Sequence, residues 1–415
     1  MEHTSDKTCI VIGASHAGVN FAFNLRKEGW QGKIILFDSD PFLPYHRPPL
    51  SKSYLIDGDL NSNLLKTEES YTKENIELNL GVTVSKINRE KKTVILKNEE
   101  VHQYDKLVLA TGARPFLPPI RGLDSAHQLF PMRTAQDTIN IKKALDTSLQ
   151  KRVIIIGGGY IGLETAASLK KIGAEVTILE REKRVLSRVT APMMSDYFMK
   201  LHSENGATIL TNKNVLSIKN EGSYNTVFCH DNTHYEADII IVGVGIKINN
   251  ELATNADLEV KKGVKVNEFA QTSDANIYAI GDCTLHYNTR YKKYQRLESV
   301  QNAVDQSKIA AAHICEKENP YAAIPWFWSD QYDVKLQMVG LSAGYNDALL
   351  RQENEEGTSF SVWYFKDDEL LAVDAVNNPR SYVLGTKFIK ENTIINKVNL
   401  IDKTIPLKPQ TLKLN

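Results

Sequence analysis

Two segments of the chain combine closely spaced glycines with a preceding apolar run, and they constrain the fold more than any other feature. The first covers residues 13–18 and follows the apolar residues 9–12. The second covers residues 157–162 and follows residues 153–156. A glycine turn between a buried parallel strand and a helix is typical of dinucleotide binding. The pair predicts that the chain binds two nucleotides, a tightly held flavin and an exchangeable dinucleotide. The weaker alternative is that both are ordinary strand-to-helix turns that bind no ligand.

In the first copy, Gly13 permits the tight turn and Gly18 lets the following helix pack closely on the sheet. The helix N-terminus then faces the pyrophosphate. Ser15 takes the place of the middle glycine, a departure that a small side chain tolerates. The second strand, residues 33–37, ends at Asp38, which can accept hydrogen bonds from ribose hydroxyls. The candidate contacts of this copy are Gly13, Ser15, His16, Ala17, Gly18 and Asp38.

The second copy has all the glycines of the fingerprint. Its second strand, residues 175–179, ends at Glu180. A carboxylate there favours a free ribose 2′-hydroxyl over a 2′-phosphate, which predicts NADH rather than NADPH. Arg181, Lys183 and Arg184 follow closely and could partly offset that preference. The candidate contacts of this copy are Gly157, Gly158, Gly159, Tyr160, Ile161, Gly162 and Glu180.

Composition narrows the class of protein. A chain of 415 residues with 42% hydrophobic residues should fold as two or three compact domains. The formal net charge is zero, which argues against a nucleic-acid partner. Apolar runs such as residues 239–246 are too short to span a bilayer, and residues 1–7 do not resemble a secretion signal. We therefore expect a cytoplasmic protein with no membrane partner.

The four cysteines are Cys9, Cys229, Cys283 and Cys315, and no two of them form a closely spaced pair. Flavoproteins that pass electrons through a dithiol need two neighbouring cysteines. We therefore expect no redox-active disulfide and no metal site. We also expect the electrons to leave the flavin directly.

Two further strand ends run into turns of small residues, at residues 107–113 and 239–245. Such turns suit crossings between domains where the backbone passes close to a dinucleotide. They predict a discontinuous FAD domain (1–114 and 246–324), an inserted NADH domain (115–245) and a third domain (325–415). Candidate contacts at these turns and at the later strand end near residue 281 are Ala110, Thr111, Gly112, Val242, Gly243, Val244, Gly245, Gly281 and Asp282.

The order of these motifs, together with residues 47–52, 297–303 and 325–333, resembles the oxygenase-coupled NADH-dependent ferredoxin reductases. This group includes putidaredoxin and rubredoxin reductases and belongs to the FAD-dependent pyridine nucleotide-disulfide oxidoreductases. The resemblance implies an α/β, glutathione-reductase-like fold with two Rossmann-type domains and a C-terminal α+β domain covering the flavin. The sequence supports the third domain separately, since residues 360–376 are strand-like and 382–391 helical. The role of the tail from residue 392 is not evident.

The resemblance also implies the chemistry. Hydride passes from NADH to FAD, and electrons leave singly to a 2Fe-2S ferredoxin or rubredoxin serving a terminal oxygenase. Lys52 would lie near the flavin ring and pair with Glu164, neither acting as a proton-transfer catalyst. Trp328 would lie at the flavin edge facing the ferredoxin, and Trp326 would point the opposite way. Further FAD candidates are Arg47, Arg133, Glu298, Ser299 and Val300.

Each assignment has an ordinary alternative. Lys52 could be a solvated loop lysine, Glu164 a surface helix residue, Trp328 a core aromatic, and Arg47 and Arg133 members of surface salt bridges. The basic run 290–296 could steer an acidic ferredoxin, although a solvated loop is slightly favoured.

Two rival functions remain open. One is a flavoenzyme that reduces a quinone, a radical or oxygen. The other is a redox-sensing interaction protein that resembles apoptosis-inducing factor. The sequence does not indicate the ferredoxin, the oxygenase or its substrate, nor whether the protein is a monomer or a homodimer.

Overall fold

The computed structural model describes residues 4–414, which form two compact units, each made of several chain segments. The first unit comprises residues 4–47, 59–114 and 246–323. The second comprises residues 48–58, 115–245 and 324–414. The short segment 48–58 therefore belongs to the second unit, although the first unit supplies the chain on both sides of it.

The first unit is built on a parallel sheet with the first fingerprint strand, Thr8–Ile12, at its centre. Its aliphatic residues suit a strand covered on both faces, and residues 9–11 are completely buried. The helix that follows, His16–Glu28, is called the first fingerprint helix; it packs against helix Val300–Ile314. The strands, in spatial order, are Ile277–Ala279, Lys106–Leu109, Thr8–Ile12, Lys33–Asp38 and Ile76–Leu80.

The second unit repeats this plan around strand Arg152–Ile156, which is followed by the second fingerprint helix, Tyr160–Lys171. Parallel pairing aligns Ile156 with Leu179 and with Val242, so all three strands end at one edge. Loops at the carboxyl ends of parallel strands are where such sheets bind ligands. The strands, in spatial order, are Thr208–Leu210, Glu175–Leu179, Arg152–Ile156, Ile239–Val242 and Leu129–Pro131.

An antiparallel sheet forms the C-terminal part of the second unit. Helix Pro379–Glu391 packs on it and begins earlier than the predicted residue 382. The earlier start has a local cause, because Pro379 is suited to the first turn and the Asn378 side chain accepts from the Ser381 amide. The strands, in spatial order, are Trp326–Gln331, Val334–Gly340, Glu369–Val376, Phe360–Lys366 and Asp347–Gln352.

The C-terminal tail is fixed to this sheet by a buried arginine. Arg351 is 1% exposed, and its guanidinium donates to the carbonyl oxygens of Leu400, Asp402 and Ile405 at 2.8–3.0 Å. Glu353 accepts from Arg351 Nε at 2.6 Å. The tail is therefore part of the folded unit. Its two short helices are Lys397–Ile401 and Pro409–Leu412.

Shorter elements complete both units, and the predicted α/β class is confirmed. No helix within residues 4–414 combines the length and apolar character needed to cross a membrane. The other helices are Ser53–Asp57, Glu68–Lys73, Ala135–Thr147, Pro192–Glu204 and Glu251–Asn255. The other strands are Val84–Asn88, Thr93–Leu96, Val101–Gln103, Ala113–Pro115, Val215–Asn220, Asn225–Cys229, His234–Ala237, Ile246–Ile248, Val264–Val266, Thr284–Asn288 and Lys293–Gln295.

Candidate nucleotide and redox sites

The first fingerprint turn leaves no room for side chains at its two key glycines. Gly13 has a φ of 103°, and a Cβ there would lie 2.3 Å from the carbonyl oxygen of Ala110. A Cβ on Gly18 would lie 1.8 Å from the Gly13 carbonyl oxygen. The absence of side chains brings the helix against the strand, as the sequence predicts, and it also brings Ala110 against the fingerprint turn.

A small cleft lies beside this turn, lined among others by Ala14, Ser15, Asp38, Tyr45 and Arg47. Asp38 Oδ2 accepts from the Ala14 amide at 2.5 Å, and burial raises the pKa of this carboxyl group. The Arg47 guanidinium lies over the Tyr45 ring and donates to Ser15 Oγ at 3.3 Å. Backbone amides, a carboxylate and a guanidinium together fit the ribose and pyrophosphate of a dinucleotide such as FAD.

Gln306 joins two of the predicted FAD segments and was not found from the sequence. Its Oε1 accepts from the Gly281 amide at 2.8 Å and from Thr284 Oγ1 at 3.1 Å. Asn302 Nδ2 also donates to it, at 3.3 Å, and Ser299 caps the same helix by accepting from the Asn302 amide. The segment that contains Asp282 and the segment that contains Glu298 and Val300 are thus held together. A buried amide inside a helix carries no sequence signal of this role.

The second fingerprint turn has the same construction, with free space beside its middle glycine. A Cβ on Gly157 would lie 2.6 Å from the Gly243 carbonyl oxygen, and one on Gly162 would lie 2.2 Å from the Gly157 carbonyl oxygen. Next to Gly159, however, no atom from outside the adjoining residues of the chain lies within 4 Å of the Cβ position. That open approach to the backbone fits a pyrophosphate. The structure places Val242, Gly243, Val244 and Gly245 at the neighbouring strand end.

Glu180 faces this turn. Its Oε2 accepts from the Gly158 amide at 2.6 Å. The nearby arginines are committed elsewhere: Arg184 donates to Ser195 Oγ and to two backbone carbonyls, and Arg181 pairs with Glu182. Of the three basic residues that the sequence places here, Arg184 is therefore bound to other groups, whereas Lys183 is exposed.

Tyr160 and Ile161 begin the second fingerprint helix. The Tyr160 hydroxyl donates to Met338 Sδ at 2.8 Å, and its ring centroid lies 5.2 Å from that of Phe327. Ile161 is 43% exposed. The side chain of Tyr160 thus packs on the C-terminal sheet and leaves the turn open.

Lys52 and Glu164 form a buried ion pair in the second unit. Lys52 Nζ lies 2.6 Å from Glu164 Oε2, and the side chains are 20% and 2% exposed. Glu164 also accepts from Ser51 Oγ and Ser329 Oγ, each at 2.7 Å. Ser168 Oγ donates to the Ser51 carbonyl at 2.7 Å and so fixes the segment that carries the lysine. The alternatives of a solvated lysine and a surface glutamate are wrong.

The predicted orientation of the two tryptophans is also wrong. Residues two positions apart on a strand share a face, and the Trp326 and Trp328 ring centroids lie 5.5 Å apart. Trp328 is half-buried, whereas Ser329 and Gln331 on the opposite face are completely buried. The indoles thus lie on the less buried face of this strand.

The remaining predicted residues have local partners. The Arg133 amide donates to Asp137 Oδ2 at 3.0 Å, just before helix Ala135–Thr147. In the first unit, Arg296 pairs with Glu298 at 2.6 Å, so part of the charge of the 290–296 run is compensated. Thr111 Oγ1 donates to the Asn249 carbonyl at 2.6 Å.

All four cysteines are free thiols, and only Cys315 is not fully buried. Burial raises the pKa of Cys9, Cys229 and Cys283, which keeps these thiols protonated. None of them has the environment of a redox-active thiolate.

Two Rossmann-type nucleotide turns and a buried lysine–glutamate pair in one chain are typical of an oxidoreductase that binds two nucleotides. Residues 7–307 match the model of the pyridine nucleotide-disulphide oxidoreductase family, and residues 326–411 match the reductase C-terminal domain. The chain belongs to this family, as the sequence motifs predicted. The family binds FAD and uses NAD(P)H.

Individual relatives extend over nearly the whole chain. Putidaredoxin reductase of Pseudomonas putida is 40% identical over 405 residues, covering 96% of this chain and 95% of the relative. Rubredoxin-NAD(+) reductase of Pseudomonas putida is 37% identical over 373 residues, covering 89% and 96%. The crystal structure of the covalent putidaredoxin reductase–putidaredoxin complex superposes with a TM-score of 0.92 at 39% identity, covering 97% of each chain. The glutathione-reductase-like fold is therefore confirmed.

Proposed function

We propose that the protein is an NADH-dependent, FAD-containing ferredoxin reductase of an oxygenase system. FAD, when bound, accepts hydride from a nicotinamide and returns its electrons one at a time. The observation that carries the proposal is the pair of nucleotide turns in a chain whose cysteines are isolated and mostly buried. Two nucleotides without a dithiol require an external electron acceptor. The full-length likeness to putidaredoxin and rubredoxin reductases supports a 2Fe-2S ferredoxin or rubredoxin in that role.

The preference for NADH is supported by the charge at the second turn. Glu180 holds a carboxylate at the Gly158 amide, where a 2′-phosphate would be repelled. Arg184, one of the candidates for neutralising that phosphate, is held by three other groups. The first turn, with its cleft and Asp38, is proposed to bind FAD.

Two residues are proposed to act in the redox step. Lys52, oriented by Glu164, would stabilise the negative charge that develops on flavin reduction. Trp328 would lie near the flavin and the docked ferredoxin, on the less buried face of its strand. A cytoplasmic location also remains a prediction.

Anaerobic stopped-flow absorbance tests the proposal. The purified protein should show an FAD spectrum, bleach rapidly with NADH and more slowly with NADPH, and then reoxidise in two steps with a 2Fe-2S ferredoxin. Reoxidation by a quinone or oxygen but by no ferredoxin or rubredoxin would favour the small-acceptor enzyme. A persistent charge-transfer band would favour the redox-sensing protein.

A further inference from the structure

A continuous series of hydrogen bonds runs from Glu164 through the interior of the second unit. Ser329 Oγ donates to Glu164 Oε1 at 2.7 Å, and Gln331 Nε2 donates to Ser329 Oγ at 3.2 Å. Gln331 Oε1 lies 2.9 Å from His202 Nε2, and His202 Nδ1 lies 3.3 Å from the Tyr332 hydroxyl. We call Ser329, Gln331, His202 and Tyr332 the polar chain.

The carboxylate fixes the direction of every bond in the polar chain. An ionised carboxylate only accepts, so the single proton of Ser329 is directed to Glu164. Ser329 Oγ can then only accept from Gln331, which must turn its NH₂ group to the serine and its oxygen to His202. His202 must therefore carry its proton on Nε2, and its Nδ1 accepts from Tyr332.

Burial supports this arrangement. The side chains of Ser329, Gln331 and His202 are completely shielded from solvent. Burial also lowers the pKa of His202, which favours the neutral ring that a single tautomer requires. Since unpaired polar groups are costly in such surroundings, changing one member of the chain should reorient the others.

We propose that the polar chain is a positioning device in which His202 and Gln331, through Ser329, hold the Glu164 carboxylate in the orientation that places Lys52. Three donors share the carboxylate: Ser329 on Oε1, and Ser51 and Lys52 on Oε2. Loss of the Ser329 donor leaves Oε1 without that partner, so more of the negative charge of Glu164 acts on the Lys52 ammonium group. The consequence for electron transfer rests on the proposed function, because it assumes that Lys52 acts on the flavin.

The first experiment reads the histidine tautomer by ¹⁵N NMR in the full-length protein without added FAD. The His202 signal, assigned by its loss in His202→Phe, should show Nε2–H in the unmodified protein. Glu164→Gln gives position 164 a donor of its own, which allows Ser329 and Gln331 to reverse. We expect His202 to shift towards the Nδ1–H tautomer in this variant. Ser361→Ala removes another buried serine of the same sheet that is hydrogen-bonded to Ser381 and Trp363, and it should leave the signal unchanged.

An unchanged tautomer in a folded Glu164→Gln protein would overturn the coupling. If that variant does not fold, Ser329→Ala serves instead, because removing the hydroxyl frees the Gln331 amide and should give a mixture of tautomers.

The second experiment measures the FAD reduction potential by spectroelectrochemistry. Ser329→Ala should lower the ratio of reduced to oxidised flavin at a given potential by up to about tenfold, equivalent to about 30 mV for a two-electron couple. Ser329→Thr, which keeps the hydroxyl, should restore most of the shift, and Ser361→Ala should show none. If the His202 tautomer changes in Glu164→Gln but the FAD reduction potential does not shift in Ser329→Ala, the proposed effect of the polar chain on Lys52 is refuted. A protein that binds no FAD would refute the proposed function. The NMR result would still test the coupling within the polar chain.

Discussion

Replacing Lys52 with methionine should separate the structural role of the ion pair from its proposed redox role. Methionine has a similar length and no charge, so the change removes the ammonium group at 2.6 Å from Glu164 and little packing. Glu164, which is 2% exposed, would remain as a buried carboxylate that accepts from the hydroxyl groups of Ser51 and Ser329.

The expected cost follows from this geometry. Removing one partner of a buried ion pair typically costs about 3–5 kcal/mol. Because two serine donors remain on Glu164, we expect the lower end, about 3 kcal/mol. The flavin reduction rate with NADH should fall by about 10- to 100-fold. This is less than the roughly 10²–10³ for removal of an oxyanion donor, since Glu164 already offsets part of the lysine charge.

The double variant Lys52→Met/Glu164→Gln provides the decisive comparison. It removes the unpaired carboxylate, so stability in urea, followed by tryptophan fluorescence, should recover by about 1–2 kcal/mol. The stopped-flow rate should not recover, because the positive charge is still missing. Recovery of both quantities would refute a redox role for Lys52. A single variant as stable as the unmodified protein would instead refute the energetic importance of the buried pair.

Four further predictions concern separate parts of the molecule. Glu180→Arg should raise kcat/KM for NADPH relative to NADH by at least about tenfold, since roughly 1.4 kcal/mol of differential binding suffices. Steady-state kinetics with both cofactors measure this ratio of kcat/KM values, and an unchanged ratio would contradict the prediction. Gly162→Ala places a Cβ 2.2 Å from the Gly157 carbonyl oxygen and should weaken NADH binding in a titration, while the FAD content stays normal. Arg351→Met leaves three tail carbonyl oxygens without their donor and should expose the tail to limited proteolysis without altering the flavin spectrum. Burial raises the pKa of Asp374 from 3.8 to about 7. A carboxyl group whose pKa is raised on folding stabilises the protein below its unfolded-state pKa, and that contribution is lost as pH rises from about 4 to about 7. Urea midpoints should therefore fall across this range, and Asp374→Asn should flatten the fall; an equal slope in both proteins would contradict it.

The sequence could predict the parts of the fold that are set by local physics. Gly13 and Gly157 are required because a Cβ would meet backbone atoms, and that demand is visible as the spacing of the glycines. Glu180 follows from its place at a strand end. The glycine spacing and the strand-end carboxylate can be read within one βαβ unit, although the backbone atoms that a Cβ would meet belong to Ala110 and Gly243, at a later strand end.

Contacts between distant segments could not be predicted in this way. Ser51 and Ser329 share the Glu164 carboxylate although they lie 113 and 165 residues from it in the chain. Serines are common, and neither position carries a signal that selects it. His202 lies on a helix whose contact with Gln331 exists only in the folded unit. Arg351 is a further example. It binds backbone carbonyl oxygens of the tail, and no pattern of side chains in the sequence identifies them.

Segment 48–58 determines how this protein can be divided and recombined. Leu55 in this segment is completely buried in the core of the second unit, and Lys142 Nζ donates to its carbonyl oxygen at 3.0 Å. A fragment of residues 115–245 would therefore lose its covering and expose that core. Exchanging residues 115–245 with those of a relative must transfer residues 48–58 and the C-terminal sheet as well. Cofactor specificity in this architecture therefore depends on three separated stretches of chain, which must be exchanged together.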